Sequence, residues 1–169
     1  MEVKQAILER RTIRKYSDKA ISDETVTEII RAGMYAPSAG NQQSWEFLII
    51  RDRDKISKIK EFHPYAPMVE SAGALILVCG NTNREVFEGY WVQDCSAAIQ
   101  NMLLAAHDMG IGSVWLGIHP MADRIDAAKK LFNLPSGIEP LSIISFGYPA
   151  EKIPMPERFN SNFIHIDKW

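Results

Sequence analysis

Residues 90–109 have the spacing of a long helix whose apolar stripe is too wide for a single contact face. The apolar side chains recur every three or four residues, at Val92, Cys95, Ile99, Met102, Leu103 and Ala106. Gly110 follows at the position where a left-handed residue commonly ends a helix. A helix of this kind needs neighbours on two sides, so we expect it to lie at the centre of the domain with other elements packed around it.

Helix and strand patterns alternate along the rest of the chain. Apolar runs predict strands at residues 45–50, 74–79, 113–116 and 141–146. Helical spacing predicts further helices at about residues 2–11, 22–36, 52–62 and 125–133. Ser22 and Asp52 are suited to be N-caps, and the run at 74–79 is typical of a strand covered on both faces. The predicted fold class is therefore α+β, with one sheet of four or five strands and helices on its faces.

Composition excludes several classes of protein. The 169 residues are 46% hydrophobic and 24% charged, as expected for one globular domain. The net charge of −2 gives no general attraction to nucleic acid or anionic membranes. The longest apolar run is far shorter than the roughly 20 residues of a membrane-spanning helix, and the N-terminus lacks the features of a signal peptide. We therefore expect a cytoplasmic protein that binds neither nucleic acid nor membrane.

The cysteines and histidines do not predict a metal site. Cys79 and Cys95 are the only cysteines and both lie in apolar segments, so we interpret them as buried hydrophobic residues. The four histidines are scattered without metal-ligand spacing. His107 lies one position off the apolar stripe, and we expect it on the helix surface. Phosphate-loop, dinucleotide-turn and nucleophile-elbow motifs are also absent.

A basic cluster, RRTIRK, follows the first predicted helix and contains Arg10, Arg11, Thr12 and Arg14. Guanidinium groups can bind phosphate oxygens through two hydrogen bonds, and a hydroxyl can donate another, so one interpretation is a phosphate clamp. The other is a solvated basic helix end. Arg10 and Arg14 share a face if the helix continues through them, whereas a break after Arg11 would fan them around an anion.

A second candidate segment, APSAGNQQSW, lies between a predicted helix and a predicted strand. It can be an ordinary turn, since proline, serine, glycine and asparagine dominate turns. Its amides both donate and accept, which suits a ligand with a mixed edge, such as the pyrimidine side of a flavin. A weaker signal is Gly117, which would let backbone approach a flat ligand at the end of a strand.

Four segments, in this order, resemble the FMN-dependent nitroreductase family: RRTIRKYS, APSAGNQQSWEF, DMGIGSVWLG and FGYPAE. The resemblance runs from about Ala6 to the tail and is nearest to the short members of about 170 residues. It implies a single FMN-binding domain over residues 1–169, with a central mixed or antiparallel sheet flanked by helices. It also implies an interlocked homodimer with FMN at the subunit interface. Residues 150–169 would form a C-terminal arm that reaches the partner subunit.

The resemblance implies cofactor contacts at matching positions. The ribityl phosphate would be held by Arg10, Thr12 and Arg14, by Arg11 through its backbone, and by Arg158 in the arm. Residues of the partner subunit would lie against the ring, namely Pro37, Ser38, Ala39 and Asn41, while Gln43 would either join them or support the loop. Leu116 and Gly117 would approach the reactive ring nitrogen with a backbone N–H.

Two positions depart from the common family pattern. Thr12 replaces a serine and keeps the hydroxyl. Ser44 replaces a frequent proline, and we expect it to loosen the turn without removing a ligand.

The activity implied by the resemblance is hydride transfer from NADH or NADPH through FMN to a flat, electron-poor acceptor such as a nitroaromatic or a quinone. One shared site would make the kinetics ping-pong, and the flavin would carry the chemistry, so we expect no catalytic side chain. Candidate cations for the 2′-phosphate of NADPH are Lys60, Arg84 and Lys152. Three alternatives stay open: a specialised member that breaks down flavin or dehalogenates, a non-enzymatic FMN-binding module, and a cofactor-free domain.

Overall fold

The sheet has four strands in the order β1-β2-β4-β3, and every pair is antiparallel. The computed structural model describes all residues 1–169. The strands are β1 (Trp45–Ile50), β2 (Ala74–Asn81), β3 (Gly112–Gly117) and β4 (Ile138–Gly147). The α+β prediction is confirmed, and the sheet takes the smaller of the expected strand numbers.

Five α-helices flank the sheet: α1 (Val3–Glu9), α2 (Asp23–Met34), α3 (Arg53–Phe62), α4 (Trp91–Asp108) and α5 (Ala122–Phe132). Short 3-10 turns occur at Ala39–Asn41, Pro67–Ser71, Thr82–Arg84 and Ser161–Phe163. None of the five helices combines the length and the apolar content that crossing a bilayer would require.

The long helix α4 is central, as its stripe predicts. One face contributes Ile99 and Met102 to a core shared with the sheet and α2. At the crossing with α2, a Cβ on Gly33 would lie 2.9 Å from Met102 Cγ, so the two helices approach closely. A second core, which includes Ile59 and Ile143, lies on the other face of the sheet beneath α3 and α5. Strand β2 is therefore buried on both faces.

Local capping signals place the helix ends correctly. Ser22 Oγ accepts a hydrogen bond from Thr25 N at 3.2 Å at the start of α2. Asp52 Oδ1 accepts from Asp54 N at 2.9 Å at the start of α3. Gly110, with φ of +73°, follows the end of α4 as predicted. Each cap uses a backbone group that the helix itself leaves unpaired.

Several element boundaries differ from the prediction by two or three residues, and two of these differences have a clear physical cause. Helix α1 ends at Glu9 and not near residue 11, because Arg10 has extended backbone angles. Strand β4 begins at Ile138 and runs through Pro140, which lies at a register shift opposite Cys79. A proline has no N–H to donate and is tolerated at such an irregularity.

Both cysteine thiols are buried and free, as interpreted. Cys95 Sγ lies 3.4 Å from the backbone oxygen of Cys79. Burial raises the pKa of Cys79 to about 12, and burial also raises the pKa of Cys95. Neither thiol is ionised near neutral pH.

The segment after α1 packs on the sheet at two glycines, which generates a stability prediction. An added Cβ at Gly112 would lie 2.7 Å from Ile13 Cβ, and one at Gly147 would overlap the Tyr16 ring. Tyr16 cannot move aside freely, because its hydroxyl donates to the Ile13 and Ser145 backbone oxygens at 3.0 and 3.2 Å. We expect Gly147→Ala to lower the free energy of unfolding by about 1–3 kcal/mol, measured by urea unfolding at fixed protein concentration.

Gly117→Ala is the matched control for this substitution. No atom lies within 4 Å of a Cβ built at Gly117, so we expect a change of roughly 0.5 kcal/mol or less. Equal losses of stability in the two variants would contradict the packing explanation.

Candidate cofactor-binding site

The basic segment, residues 10–16, is extended and lies beside β3. Thr12 forms an isolated parallel bridge with Ser113, and Ile13 N donates to Ser113 O at 2.9 Å. Side chains of extended backbone alternate between two sides. Ile13 is buried against Gly112, so alternation places Thr12 and Arg14 on the opposite, outward side, while Arg10 lines a cavity together with Arg11 and Ile13. The helix therefore does not continue through the cluster, and its break comes after Glu9.

Hydrogen bonds tie this segment to the start of the C-terminal arm. Glu151 Oε1 accepts from the backbone N–H groups of Arg14 and Lys15 at 2.7 and 3.1 Å. These two N–H groups help to lower the pKa of Glu151, with the Arg14 bond the largest cause. Ala150 N donates to Lys15 O at 2.9 Å. The orientation of the basic side chains therefore depends on both ends of the chain.

The guanidinium groups of the segment form no ion pairs, although the Glu151 carboxylate lies on the backbone of Arg14 and Lys15. Arg10, Arg14 and Arg158 are absent from every ion pair in the structure. Burial lowers the pKa of Arg10, and the charges of Arg158 and Arg11 lower it further. Crowded cations that form no ion pair fit a dianionic phosphate, because such a ligand relieves their mutual repulsion.

Arg11 differs from its neighbours. Its Nη1 donates to Pro154 O at 2.8 Å, and its Nε is buried without a partner. The side chain thus supports the arm, and it also lines a cavity with Arg10. Arg10 and Arg158 together line a cavity of about 380 Å³, which lies within the usual size range of ligand sites.

His107 corrects one expectation. It is half-buried, its Nε2 is buried without a partner, and it lines a cavity of about 480 Å³ with Arg10 and Arg11. The helix-surface prediction is wrong because the N-terminus covers the last turn of α4, where the Met1 amino group lies 2.8 Å from Asp108 Oδ1. Helical spacing alone cannot show such a contact.

The segment of residues 37–44, which the resemblance predicts to face the flavin ring and which we call the ring-facing loop, has a backbone that its own side chains help to hold. Gly40, Asn41 and Gln43 all have positive φ, of 52°, 56° and 48°. Gln43 N donates to Ser38 Oγ at 3.0 Å, and Gln43 Nε2 donates to Asn41 Oδ1 at 3.0 Å. Of the two roles open to Gln43, these bonds favour support of the loop. Pro37 and Asn41 are exposed, while Ser38 and Ala39 are half-buried.

Asp94 of α4 fixes this loop and was missed by sequence reasoning. Its carboxyl accepts from Ala39 N, Gln42 Nε2 and Ser44 Oγ. The available signal is a charged residue beside the apolar stripe of α4. The expectation that Ser44 loosens the turn is wrong, because Ser44 is fully buried and its hydroxyl is used in this contact.

The end of β3 offers backbone and little else. The Leu116 side chain is 2% exposed, and the space beside Gly117 is open. The Gly117 carbonyl accepts from Arg124 Nη1 at 2.9 Å and lies 3.0 Å from His63 Nε2. Burial lowers the pKa of His63, and the charge of Arg124 lowers it further. Sequence reasoning missed both side chains, which hold the carbonyl of a residue that it did identify.

The structure brings some of the predicted residues together and separates others. Thr12 lies beside Ser113, and Gly117 lies about 13 Å farther along the same strand at roughly 3.3 Å per residue. The ring-facing loop lines a different cavity, with Tyr90 and Asp94. Within one chain, the residues predicted to hold the phosphate and those predicted to meet the ring therefore line separate cavities.

The sequence of this chain is similar to those of known proteins. A model described as the nitroreductase family matches residues 7–64 and 62–148. A Methanothermobacter thermautotrophicus protein, provisionally named NADH dehydrogenase/NAD(P)H nitroreductase, is 44% identical over 169 residues, which are 100% of this chain and 88% of that protein.

Two solved structures extend the similarity to the fold. One, from Parabacteroides distasonis and under the same provisional name, is 41% identical with a TM-score of 0.93, covering 98% of this chain and 97% of that one. The other, from Desulfovibrio desulfuricans and provisionally named a nitroreductase, is 34% identical with a TM-score of 0.86, covering 100% and 98%. The chain thus has the α+β nitroreductase fold.

The family match spans most of the chain, and two of the relatives exceed 40% identity over 88% and 97% of their own length. The chain belongs to the nitroreductase family. The resemblance seen in the sequence is therefore confirmed.

The lowered pKa of His63 generates a prediction on pH and stability. The unfolded chain binds the proton more readily than the folded one, so this contribution is complete above the ordinary histidine pKa of about 6.5 and is lost as the pH falls below it. We expect the free energy of unfolding to decrease between about pH 7.5 and about pH 5.5, above the range of ordinary carboxyl groups. His63→Gln should show a smaller decrease in urea unfolding, and an unchanged decrease would contradict the assignment.

Proposed function

We propose that this protein is an FMN-dependent oxidoreductase that uses NADH or NADPH to reduce nitroaromatic or quinone-type acceptors. The observation that carries the proposal is the group of Arg10, Thr12 and Arg14, whose guanidinium groups form no ion pair and which lies beside the start of β3, the strand that ends at the open space at Gly117. The Desulfovibrio desulfuricans relative was solved in complex with FMN. A Bacillus subtilis relative, 27% identical, is named FMN reductase [NAD(P)H].

The residues of this chain divide the binding of FMN among them. Arg10, Thr12, Arg14 and Arg158 would hold the phosphate, with Arg11 contributing its backbone. The ring would meet Pro37, Ser38, Ala39 and Asn41 of the ring-facing loop, which Gln43 supports from within. Leu116 and Gly117 would present only backbone, since the Leu116 side chain is buried.

The chemistry of the proposed reaction requires little of the protein beyond placement. FMN, when bound, supplies the centre that takes and gives hydride. Gly117 leaves room beside the end of β3, because no side chain fills that space. Arg124 and His63 hold the Gly117 carbonyl and so fix the orientation of this residue. Donor and acceptor would use one open face in turn, which gives ping-pong kinetics.

Among the three candidate cations for NADPH, the structure favours Lys152. Lys60 Nζ lies 2.7 Å from Glu70 Oε1, and Arg84 pairs with Glu46. Lys152 forms no ion pair and lines the cavity that contains Arg10 and Arg11.

The partner that we propose is a second copy of this chain. The C-terminal arm, residues 150–169, exposes large apolar side chains, namely Met155, Phe159, Phe163, Ile164, Ile166 and Trp169. Trp169 is 100% exposed in the single chain. Such a row is typical of an interaction surface. A second copy would cover it and would bring a ring-facing loop to each basic segment, which the single chain does not do.

The absorption spectrum of the purified protein tests the proposed function directly. We expect a yellow protein whose visible flavin band bleaches anaerobically with NADH or NADPH, and parallel double-reciprocal plots with a quinone acceptor. A colourless protein that fails to bind added FMN would overturn the proposal. FMN that neither nicotinamide reduces would support a binding module, and FMN that is reduced but not turned over by quinone would support a specialised member.

Arg14→Ala tests the phosphate clamp. One charge-assisted hydrogen bond contributes roughly 1.5–3 kcal/mol, so we expect FMN to bind about 10- to 100-fold more weakly in a fluorescence titration. Arg31→Ala is the control, because it removes an exposed arginine that pairs only with Glu28 on α2. Equal FMN affinity in the two variants would remove Arg14 from the clamp.

The double variant Phe163→Ser, Ile166→Ser tests the dimer. These side chains are 79% and 81% exposed in the single chain, so their loss should leave its circular dichroism unchanged. We expect sedimentation to give twice the 19.1 kDa chain mass for the unmodified protein and a shift toward monomer for the variant. A monomeric unmodified protein, or a variant that stays fully dimeric, would show that the arm does not join two copies.

A further inference from the structure

The carboxyl of Asp94 is buried in the first turn of α4, and all three of its donors belong to the ring-facing loop. The residue is 3% exposed. Oδ1 accepts from Ala39 N at 2.9 Å, and Oδ2 accepts from Gln42 Nε2 at 2.8 Å and Ser44 Oγ at 3.1 Å. It forms no ion pair with lysine or arginine. One carboxyl on α4 therefore holds three groups of a loop that lies 50 to 55 residues earlier in the chain.

Gln42 links Asp94 to a second segment through the two ends of its side-chain amide. Because its Nε2 donates to Asp94, its Oε1 faces the other way and accepts from Val86 N at 2.9 Å and Phe87 N at 3.1 Å. The Phe87 ring lies against Gly40, where a Cβ would overlap it. Phe87 and Tyr90 form an edge-to-face pair with ring centroids 6.3 Å apart. The loop and the aromatic segment, residues 85–90, thus share one set of hydrogen bonds.

The backbone of the loop shows why such a restraint is needed. Asn41 and Gln43 have left-handed backbone angles without being glycines, and each such residue costs on the order of 1–2 kcal/mol. A largely exposed loop relaxes from these angles unless its surroundings hold it. The contacts of Asp94 with Ala39, Gln42 and Ser44 bracket both strained positions.

We propose that Asp94, acting through Gln42, is a positioning residue that fixes the ring-facing loop and the aromatic segment as one wall of the flavin cleft. This inference rests on the proposed function. The role requires a group that accepts at both of its oxygens. A carboxylate does so, whereas an amide accepts at one end and donates at the other. The negative charge also lies in the first turn of α4, where the helix dipole stabilises it.

Asp94→Asn tests the proposal in the full-length protein, with and without FMN. Whichever way the new amide turns, its NH2 group faces Ala39 N–H or Gln42 NH2, so at least one hydrogen bond is lost. We expect amide hydrogen exchange at Ala39, Val86 and Phe87 to be about tenfold faster in the FMN-free protein. With FMN, we expect a changed visible circular dichroism of the flavin, which reports on the surroundings of the ring.

The double variant Asp94→Asn, Gln42→Glu is the rescue. Its new carboxylate at position 42 accepts at both ends, from the new amide NH2 group at position 94 and from the N–H groups of Val86 and Phe87. The amide oxygen at position 94 then accepts from Ala39 N–H. We expect exchange at these amides to return to within about twofold of the original protein, and the flavin signal to return with it.

Ser22→Ala controls for a general loss of stability. It removes the N-cap of α2, which lies away from the ring-facing loop. It should leave the exchange rates at Ala39, Val86 and Phe87 and the flavin signal unchanged.

The outcomes separate this inference from the proposed function. We call the hydrogen bonds from Asp94 through Gln42 to Val86 and Phe87 the relay. If exchange in Asp94→Asn matches that in Ser22→Ala, or if the double variant shows no rescue, the relay does not hold the loop. Faster exchange with an unaltered flavin signal overturns the positioning role. Failure of the unmodified protein to bind FMN overturns the proposed function and the role toward flavin, while the exchange data still decide whether the relay exists. Should Asp94→Asn not fold, Ser44→Ala removes one donor only, and unchanged exchange at Ala39 would then count against the relay.

Discussion

The free edge of β3 is the constraint on which the arrangement of the candidate site depends. β3 is the last strand of the sheet and pairs only with β4, and an uncovered edge is prone to pair with other chains. The segment after α1 covers it in extended form through Thr12 and Ile13. Since extended backbone alternates its side chains, the contact that buries Ile13 also turns Thr12 and Arg14 outward. The contact that covers the edge of the sheet therefore also leaves the outward side chains of this segment accessible.

Much of the fold could be predicted because its signals are local. The stripe of α4, the caps at Ser22 and Asp52 and the apolar run of β2 each depend on neighbouring residues, and each is confirmed. The end of α1 could not be placed, because no proline or glycine marks it and pairing with Ser113 fixes it from a distance. Because α1 ends at Glu9, Arg10 and Arg14 do not share a helix face, which was one of the two arrangements that the sequence left open.

The candidate site could be predicted only where residues lie close together in sequence. The basic cluster and the ring-facing loop are visible as motifs, and the family match confirms the resemblance that they carry; their individual contacts with FMN stay predictions. Asp94, His63 and Arg124 were missed because they act on backbone groups that lie far from them in the chain or on another element. His107 was misplaced for the same reason, since the chain terminus that covers it is remote in sequence.

The two buried thiols have a consequence for a protein proposed to handle quinones and nitro compounds. Quinones and the nitroso products of nitro-group reduction are electrophiles that react with thiolates, and thiolate is the reactive form of cysteine. Cys79 and Cys95 are enclosed in the core, and burial keeps both protonated. The chain therefore offers such electrophiles no accessible thiol to modify, so the proposed reaction would not inactivate it through cysteine.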